Sequence, residues 1–418
     1  MTYSTDWSAY VGGALVESFA DAWILGGART PFVDYNGALG LVSATDLGIH
    51  AARAALARSG LEPARLGATI AGSCAQTSFD AFFFPRHVGL FSGMKDDRTA
   101  LGINRLCTTG FEAIAQASRG VSAGQYEAAL SVGAESMSRN PVAAYTHRAG
   151  FRMGQVEFKD FLWESLFDTA GGCGMGTTAE NLAQAYGITR PEVDAFAARS
   201  FARALAAVES GKFGEEIAPI TNAEFAATGL KSRGIKLPRG VQQVERDTHI
   251  RPTPIEVLAK LGPAFGGVQT GGNSSAIVDG AAAVVITNGA LAKQGKPLGR
   301  VVAVATAGVP AQVMGIGPVP AGLALLGKLG LSIQDIAVVE VNEAFAAQAE
   351  SVRRGLGVAE DRFNVNGGAI AFGHPLAATG IRCVYSALLE LKRRGGRYAM
   401  AGACAGGGQG MMVLVEAA

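Results

Sequence analysis

Three short stretches of this chain hold the residue types that do covalent chemistry. Asn104-Arg105-Leu106-Cys107-Thr108-Thr109-Gly110 carries one cysteine on a small-residue turn into Phe111–Ala117, a run of good helix formers. That spacing predicts a thiol at the first turn of a helix, where unpaired backbone N–H groups and the macrodipole favour the thiolate. Far along the chain, Asn364-Val365-Asn366-Gly367-Gly368-Ala369-Ile370-Ala371-Phe372-Gly373-His374-Pro375 supplies a histidine. Cys404-Ala405-Gly406-Gly407-Gly408-Gln409-Gly410 supplies a second cysteine. An isolated cysteine reads first as a small buried hydrophobe. Two cysteines and a histidine, each set in glycine, point instead to thiol chemistry with backbone packed close around a substrate.

The bulk numbers narrow the rest. At 418 residues the chain exceeds one comfortable core, so two or three domains are expected. A net charge of +1 with 17% charged residues argues against a nucleic-acid or membrane-surface partner. No apolar run reaches the length of a membrane span. The first 21 residues hold Asp6, Glu17 and Asp21 but no Lys or Arg, unlike a secretory or transit leader. The five cysteines, at 74, 107, 173, 383 and 404, make no C-x-x-C pair and an odd total. A disulfide framework or a metal site is therefore not expected, and the default is a reducing cytoplasm. Cys74, Cys173 and Cys383 read as packed hydrophobes, and His50, His87, His147 and His249 lack a motif.

The elements that must position the thiols and the histidine form a faint repeat. Gly60-Leu61 through Ala75 resembles Gly330-Leu331 through Phe345, 270 positions later, and Cys107 and His374 are 267 apart. Each member precedes a helical pattern, followed by the similar strands Tyr126–Gly133 and Tyr398–Gly402. Helices alternating with short apolar strands predict largely parallel sheets covered on both faces. A pseudo-twofold axis would then bring the ends of matching helices together, and with them Cys107 and His374. Residues 138–269 are more polar, with helical pieces at Thr177–Tyr186 and Arg190–Ser210, and read as an insertion covering the site. The expected division is an extension over 1–21, one core half over 22–137 and 270–298, the insertion over 138–269, and a second half over 299–418.

Five blocks in order (NRLCTTG at 104–110, GMGTTAENLA at 174–183, GGNSSAIVDGAAA at 271–283, VNEAFAAQ at 341–348, and NVNGGAIAFGHP with CAGGGQG) make the chain resemble the thiolase family from about Trp23 to Glu416. The resemblance implies a duplicated, five-layered α/β/α/β/α core with an inserted loop domain, and a homodimer or homotetramer. It implies thiolysis of 3-ketoacyl-CoA and the reverse Claisen condensation through a cysteine acyl-enzyme. Acyl-CoA and coenzyme A are then substrates, with no cofactor bound permanently. Cys107 would be the acyl-accepting nucleophile. His374 would activate it and help form an oxyanion hole, completed by a water on Asn342. Cys404 would move the α-proton of the acetyl group, and the N–H groups of Cys107 and Gly406 would form a second hole. Leu166, Met175 and Phe265 would line the pantetheine channel and Ser275 would bond a pantetheine amide. Ala344 and Phe345 would lie near the acyl group, and Arg251 along the nucleotide.

Departures from the family pattern bear on substrate. Thr108-Thr109 replaces the usual Gly-Ser after the nucleophile, Ala377 replaces a glycine, and Gly174 stands where some short-chain members carry a histidine. Small residues at Gly171, Gly172, Gly174, Gly176, Ala377 and Ala378 predict room for acyl chains beyond four carbons. Phe345 or Met314 could instead fill that space, giving a short-chain, acetoacetyl-CoA-specific enzyme. A ketoacyl synthase would be expected to place a second histidine where Asn342 stands, and a non-catalytic acyl-CoA or lipid carrier would be expected to have lost the Cys/His/Cys set. Association with a β-oxidation hydratase/dehydrogenase subunit also follows from the resemblance alone.

Overall fold

The computed structural model describes residues 3–75, 79–145 and 147–418, so residues 1 and 2 of the expected extension lie outside it. Eleven strands join one sheet. In chain order they are β1 (Leu15–Ser18), β2 (Trp23–Arg29), β3 (Val33–Asp34), β4 (Ala68–Gly72), β5 (Thr99–Gly102), β6 (Ala128–Ser136), β7 (Val278–Thr287), β8 (Gly299–Gly308), β9 (Ile336–Val341), β10 (Tyr398–Ala405) and β11 (Gln409–Ala417). Across the sheet the order is β9-β10-β11-β8-β2-β7-β6-β4-β5, with β1 beside β8 and β3 beside β7. Outward from the middle, β2-β7-β6-β4 and β8-β11-β10-β9 pair in the same sense: antiparallel, antiparallel, parallel. This is the duplication seen in the sequence. The halves join through the short register Ile24–Gly299 and Trp23–Arg300.

The expectation of largely parallel sheets is not met. Only β4·β5, β4·β6 and β9·β10 run parallel among the described ladders of this sheet. The β10–β11 connection shows why: Gly406–Gly408 is a tight turn, and a parallel crossover needs a dozen or more residues. Strands of both kinds are covered on both faces here, so both read as continuous apolar runs.

Seven longer helices matter to the site: α1 (Ala44–Ser59), α2 (Thr109–Ser122), α3 (Met175–Tyr186), α4 (Arg190–Glu209), α5 (Pro318–Leu329), α6 (Ala346–Leu356) and α7 (Leu376–Arg394). α1 covers the outer face of the N-terminal half-sheet and α5 that of the C-terminal half. α2 and α7 lie between the halves, packed on each other and on the strands, which makes five layers. Every residue of α7 from Leu376 to Leu391 is buried, as a helix in the middle of a molecule requires. Its polar members are partnered: Arg382 is 3.1 Å from Glu340, and Glu390 holds Arg393 and Arg394.

Glycine lets α2 and α7 touch. A Cβ at Gly110 would lie 2.6 Å from the Ala377 carbonyl oxygen, and one at Gly380 2.4 Å from the Phe111 nitrogen. Neither space admits a side chain, so the first turns of both helices sit backbone to backbone. Cys107 precedes one of these turns and His374 the other.

Residues 138–269 contribute α3, α4 and four small two-stranded ladders. Buried Arg29 of β2 fastens this stretch to the core, reaching Glu216 at 2.9 Å and Asp247 at 2.7 Å. The described part of the extension is built in. β1 pairs antiparallel with β8, and the Trp7 indole N–H donates to the Tyr186 hydroxyl at 2.9 Å. No helix among the described residues is long and apolar enough to cross a membrane.

Candidate active site

The turn carrying Cys107 is held in an uncommon conformation. Leu106 has φ +49°, and left-handed backbone at a residue with a bulky side chain costs about 1–3 kcal/mol, so surrounding bonds must enforce it. They are present. The Asn104 side chain accepts the Leu106 N–H at 2.9 Å and donates to the Cys74 carbonyl at 3.1 Å. The Cys74 thiol donates to the Leu106 carbonyl at 2.9 Å, and the Thr109 hydroxyl accepts the Arg105 N–H at 2.9 Å. Cys107 follows, half-buried, directly before α2. Burial pushes its thiol up to about 12, with the Glu135 carboxylate adding to the rise; the backbone N–H groups of Cys107 itself and of Gly406 oppose it. The helix start therefore does not win the resting thiolate expected from sequence. Loss of water around the sulfur outweighs the dipole.

His374 lies between Gly373 and the first turn of α7. Its Nδ1 is 2.6 Å from the Thr379 hydroxyl, which itself donates to the Pro375 carbonyl at 3.2 Å. With that hydroxyl proton committed, Nδ1 must carry hydrogen and donate, which leaves Nε2 unprotonated and an acceptor. The Asn342 amide lies 3.2 Å from Nε2 and donates to it. Burial pulls the imidazole down to about 3, helped by the Arg382 charge, so His374 is neutral and basic at Nε2. Asn342 is fully buried, and its Oδ1 has no hydrogen-bond partner among the described residues.

Cys404 ends β10, buried in a small cluster with Ala179, Met314, Ala344 and Phe345. Burial raises its thiol above the ordinary value and neighbouring Cys107 raises it further. The resting protein therefore favours the protonated Cys404 thiol.

Cys107 and His374 line one cavity of about 390 Å³. Leu166, Met175, Phe265, Ser275, Ala344 and Phe345, all singled out in the sequence, line it too. Arg251 does not: it is exposed, beside His249 and 5.9 Å from the centre of the Phe201 ring. Gly174 borders the cavity, and a Cβ there would meet only the Leu166 carbonyl, at 3.9 Å. Ala377 and Ala378, expected on the opposite wall, are buried in the α2–α7 contact, and Leu376 takes their place. Phe345 packs edge-on against Phe265 at 5.7 Å, and Met314 also lines the cavity. Sequence reasoning missed Met137, Trp163, Phe167 and Leu376 on the walls, and Thr379 behind the histidine. Trp163 and Phe167 carry no distinguishing signal in the sequence, since Phe151, Phe158 and Phe161 stand in the same stretch.

Comparison with known proteins gives matches over most of the chain. A family model for the thiolase N-terminal domain matches residues 22–290, and one for the thiolase C-terminal domain matches 295–417. The mitochondrial 3-ketoacyl-CoA thiolase of Pongo abelii is 42% identical over 400 residues, covering 94% of this chain and 98% of that protein. An acetyl-CoA acetyltransferase of Syntrophomonas wolfei is 38% identical over 403 residues with the same coverage. The crystal structure of human mitochondrial 3-ketoacyl-CoA thiolase in complex with CoA superposes with a TM-score of 0.89 at 40% identity, covering 95% of this chain and 98% of that one. The mammalian relatives are mitochondrial proteins, which overturns the cytoplasmic location expected above, though bacterial relatives also match. Five free thiols say only that no disulfide framework is needed, not which compartment holds the protein.

Proposed function

The chain belongs to the thiolase family and is an acyltransferase, and on that premise we propose which of its groups carry out thiolysis of a 3-ketoacyl-CoA. Cys107 Sγ attacks the 3-keto carbon while His374 Nε2 takes the thiol proton. The bond between carbons two and three then breaks, leaving an acyl–Cys107 thioester and the enolate of acetyl-CoA. Cys404 gives its proton to that enolate carbon, releasing acetyl-CoA. Coenzyme A next gives up its thiol proton to Cys404, attacks the acyl-enzyme and leaves as the shortened acyl-CoA, and His374 returns its proton to Cys107. Condensation is the same path reversed. The enolate oxygen is held by the proton on His374 Nε2 and by a water on Asn342, a role supported by the unpartnered Asn342 Oδ1. Tetrahedral oxyanions are held by the N–H groups of Cys107 and Gly406, which already face the sulfur. Prearranged donors of this kind are worth about 3–4 kcal/mol each in a dry site.

The observation that carries the proposal is the convergence of Cys107 and a neutral, oriented His374 on one largely apolar cavity. Trp163, Leu166, Met175 and Phe265 reach that cavity from residues 138–269, which supports the reading of this stretch as an insertion covering the site, between core halves at 22–137 with 270–298 and at 299–418. The open space at Gly174 supports acyl chains longer than four carbons, with acetoacetyl-CoA also accepted. Arg251 is proposed along the nucleotide of coenzyme A, outside the acyl cavity. No permanently bound cofactor is required by these steps. We also propose a homodimer or homotetramer, supported by exposed Phe79, Phe82 and Leu101 beside edge strand β5 and by exposed Met153 and Phe158 in the insertion. A hydratase/dehydrogenase partner would deliver the ketoacyl-CoA.

One experiment tests nucleophile and chain length together. Incubation with 3-ketoacyl-CoAs of four, six and eight carbons, then peptide mass spectrometry, should find acetyl, butanoyl and hexanoyl groups on Cys107 and none in Cys107→Ser. Acyl label confined to Cys404 overturns the roles, and label from the four-carbon substrate alone makes the enzyme short-chain specific.

A further inference from the structure

Glu135 is fully buried near the end of β6, and the steps above do not use it. All its neighbours donate to it. Oε1 accepts from the Ser73 hydroxyl and the Ala75 N–H, both at 3.0 Å. Oε2 accepts from the Cys74 N–H at 3.1 Å and the Ala377 N–H at 3.0 Å. Ser73–Ala75 follow β4 in the N-terminal half, whereas Ala377 lies in the first turn of α7 in the C-terminal half. One oxygen therefore joins the two halves at the site.

From that oxygen two short paths lead to the reacting groups. On one side the Cys74 carbonyl holds Asn104, Asn104 holds the Leu106 N–H, and the Cys74 thiol holds the Leu106 carbonyl. These bonds enforce the left-handed turn that presents Cys107. On the other side Ala377 shares its helical turn with Thr379, the hydroxyl that orients His374. Moving the carboxylate would shift nucleophile and base separately.

We propose that Glu135 is the positioning residue that sets Cys107 and His374 in register, by binding the loop behind the nucleophile and the helix start behind the base to a single carboxylate. Only an acceptor-only group suits four converging donors: an amide would turn an NH₂ toward at least one backbone N–H. The arrangement also explains why a carboxylate is retained at zero exposure, where burial disfavours its charge and the three backbone donors and the Ser73 hydroxyl oppose that penalty. The inference rests on the proposed roles of Cys107 and His374.

The test compares Glu135→Gln and Glu135→Ala with the natural enzyme and with Cys107→Ser. Misplaced reacting groups should lower kcat by about tenfold in Glu135→Gln and about a hundredfold in Glu135→Ala, while KM for the ketoacyl-CoA stays within about twofold. Iodoacetamide alkylation of Cys107, which needs the histidine as base, should slow in parallel. A folded Glu135→Gln with kcat within about threefold of the natural enzyme, or a KM that rises as far as kcat falls, overturns the assignment. Unaltered alkylation overturns it too. If neither variant folds, the carboxylate serves folding and the positioning role falls. An inactive Cys107→Ser beside a fully active Glu135→Gln sinks this inference alone, whereas turnover by Cys107→Ser sinks the nucleophile reading beneath it.

Discussion

Burial pushes the Cys107 thiol up to about 12 and lifts Cys404 as well, so the apolar walls that shape the cavity also hold both sulfurs protonated. Under the proposed roles, attack must then be coupled to proton transfer, for which the unprotonated Nε2 of His374 is the proposed base. The same burial has a measurable consequence for stability. His374 sits at about 3 in the folded protein against an ordinary value of 6.5. A depressed value means the unfolded chain binds the proton first on acidification. The contribution of neutral His374 is therefore complete above about pH 6.5 and is lost toward pH 3, by up to about 1.4 kcal/mol for each pH unit. Denaturant unfolding of the natural protein and of His374→Asn at pH 7, 6 and 5 should show their stability difference moving against the natural protein as pH falls. A flat difference would mean that His374 takes up its proton at the same pH folded and unfolded, so that burial does not depress it. The types and motif positions of Cys107, His374, Asn342 and Cys404 were legible in the sequence because glycine-rich turns mark them. Their protonation states were not, since those depend on how much water the fold removes. Glu135 was not legible either: in Ser131-Val132-Gly133-Ala134-Glu135-Ser136 a glutamate reads as the polar end of a strand.

What aligns the turns carrying Cys107 and His374 is the contact between α2 and α7, where opposing effects can be weighed at Gly380. Replacing a helix glycine by alanine ordinarily stabilises by about 1 kcal/mol through backbone entropy. Here the new Cβ would sit 2.4 Å from the Phe111 nitrogen and 2.7 Å from its ring, against backbone that cannot swing aside. Overpacking of this kind costs about 1–3 kcal/mol and should win. Gly380→Ala is expected to melt at a lower temperature and to lose activity in excess of the stability lost, because separating the helices separates Cys107 from His374. A variant that melts higher and turns over normally would show that the helices do not need to touch. The helices were legible from their periodicity, and the duplication from its matching offsets. Strand direction was not, because a strand buried on both faces carries the same apolar run whether its neighbour is parallel or antiparallel. Leu15–Ser18 escaped notice as a strand for a different reason: only four residues long, it is largely exposed or half-buried and has no alternation to detect.

At the scale of the whole molecule, β5 ends the sheet with an edge unpaired among the described residues, and native proteins cover such edges or blunt them with charge. Here Thr99–Gly102 itself holds no charged residue, and no described strand pairs with its outer side. Leu101 on the strand is 46% exposed, and Phe79 and Phe82, which precede the helix Phe84–Phe91 packed on β5, are 92% and 81% exposed. Scattered apolar side chains need no explanation, but three large ones around a free edge mark an interaction surface. The proposed second copy of the chain would suit that surface, because antiparallel pairing of one edge with itself about a twofold axis is self-complementary and closes. Sedimentation should give at least about twice the protomer mass of 42.8 kDa. Leu101→Lys should shift the mass toward one protomer, since a buried unpaired charge opposes association. The chain runs from β5 through Asn104 directly to Cys107, so the edge and the turn carrying the nucleophile form one continuous stretch. Pairing at the edge would stiffen that stretch, and the bonds from Asn104 and Cys74 would transmit the constraint to strained Leu106. The monomeric variant is therefore expected to lose turnover along with its partner and to regain part of it at protein concentrations that restore the dimer. Full activity in a dilute monomer would show that each chain builds its site alone.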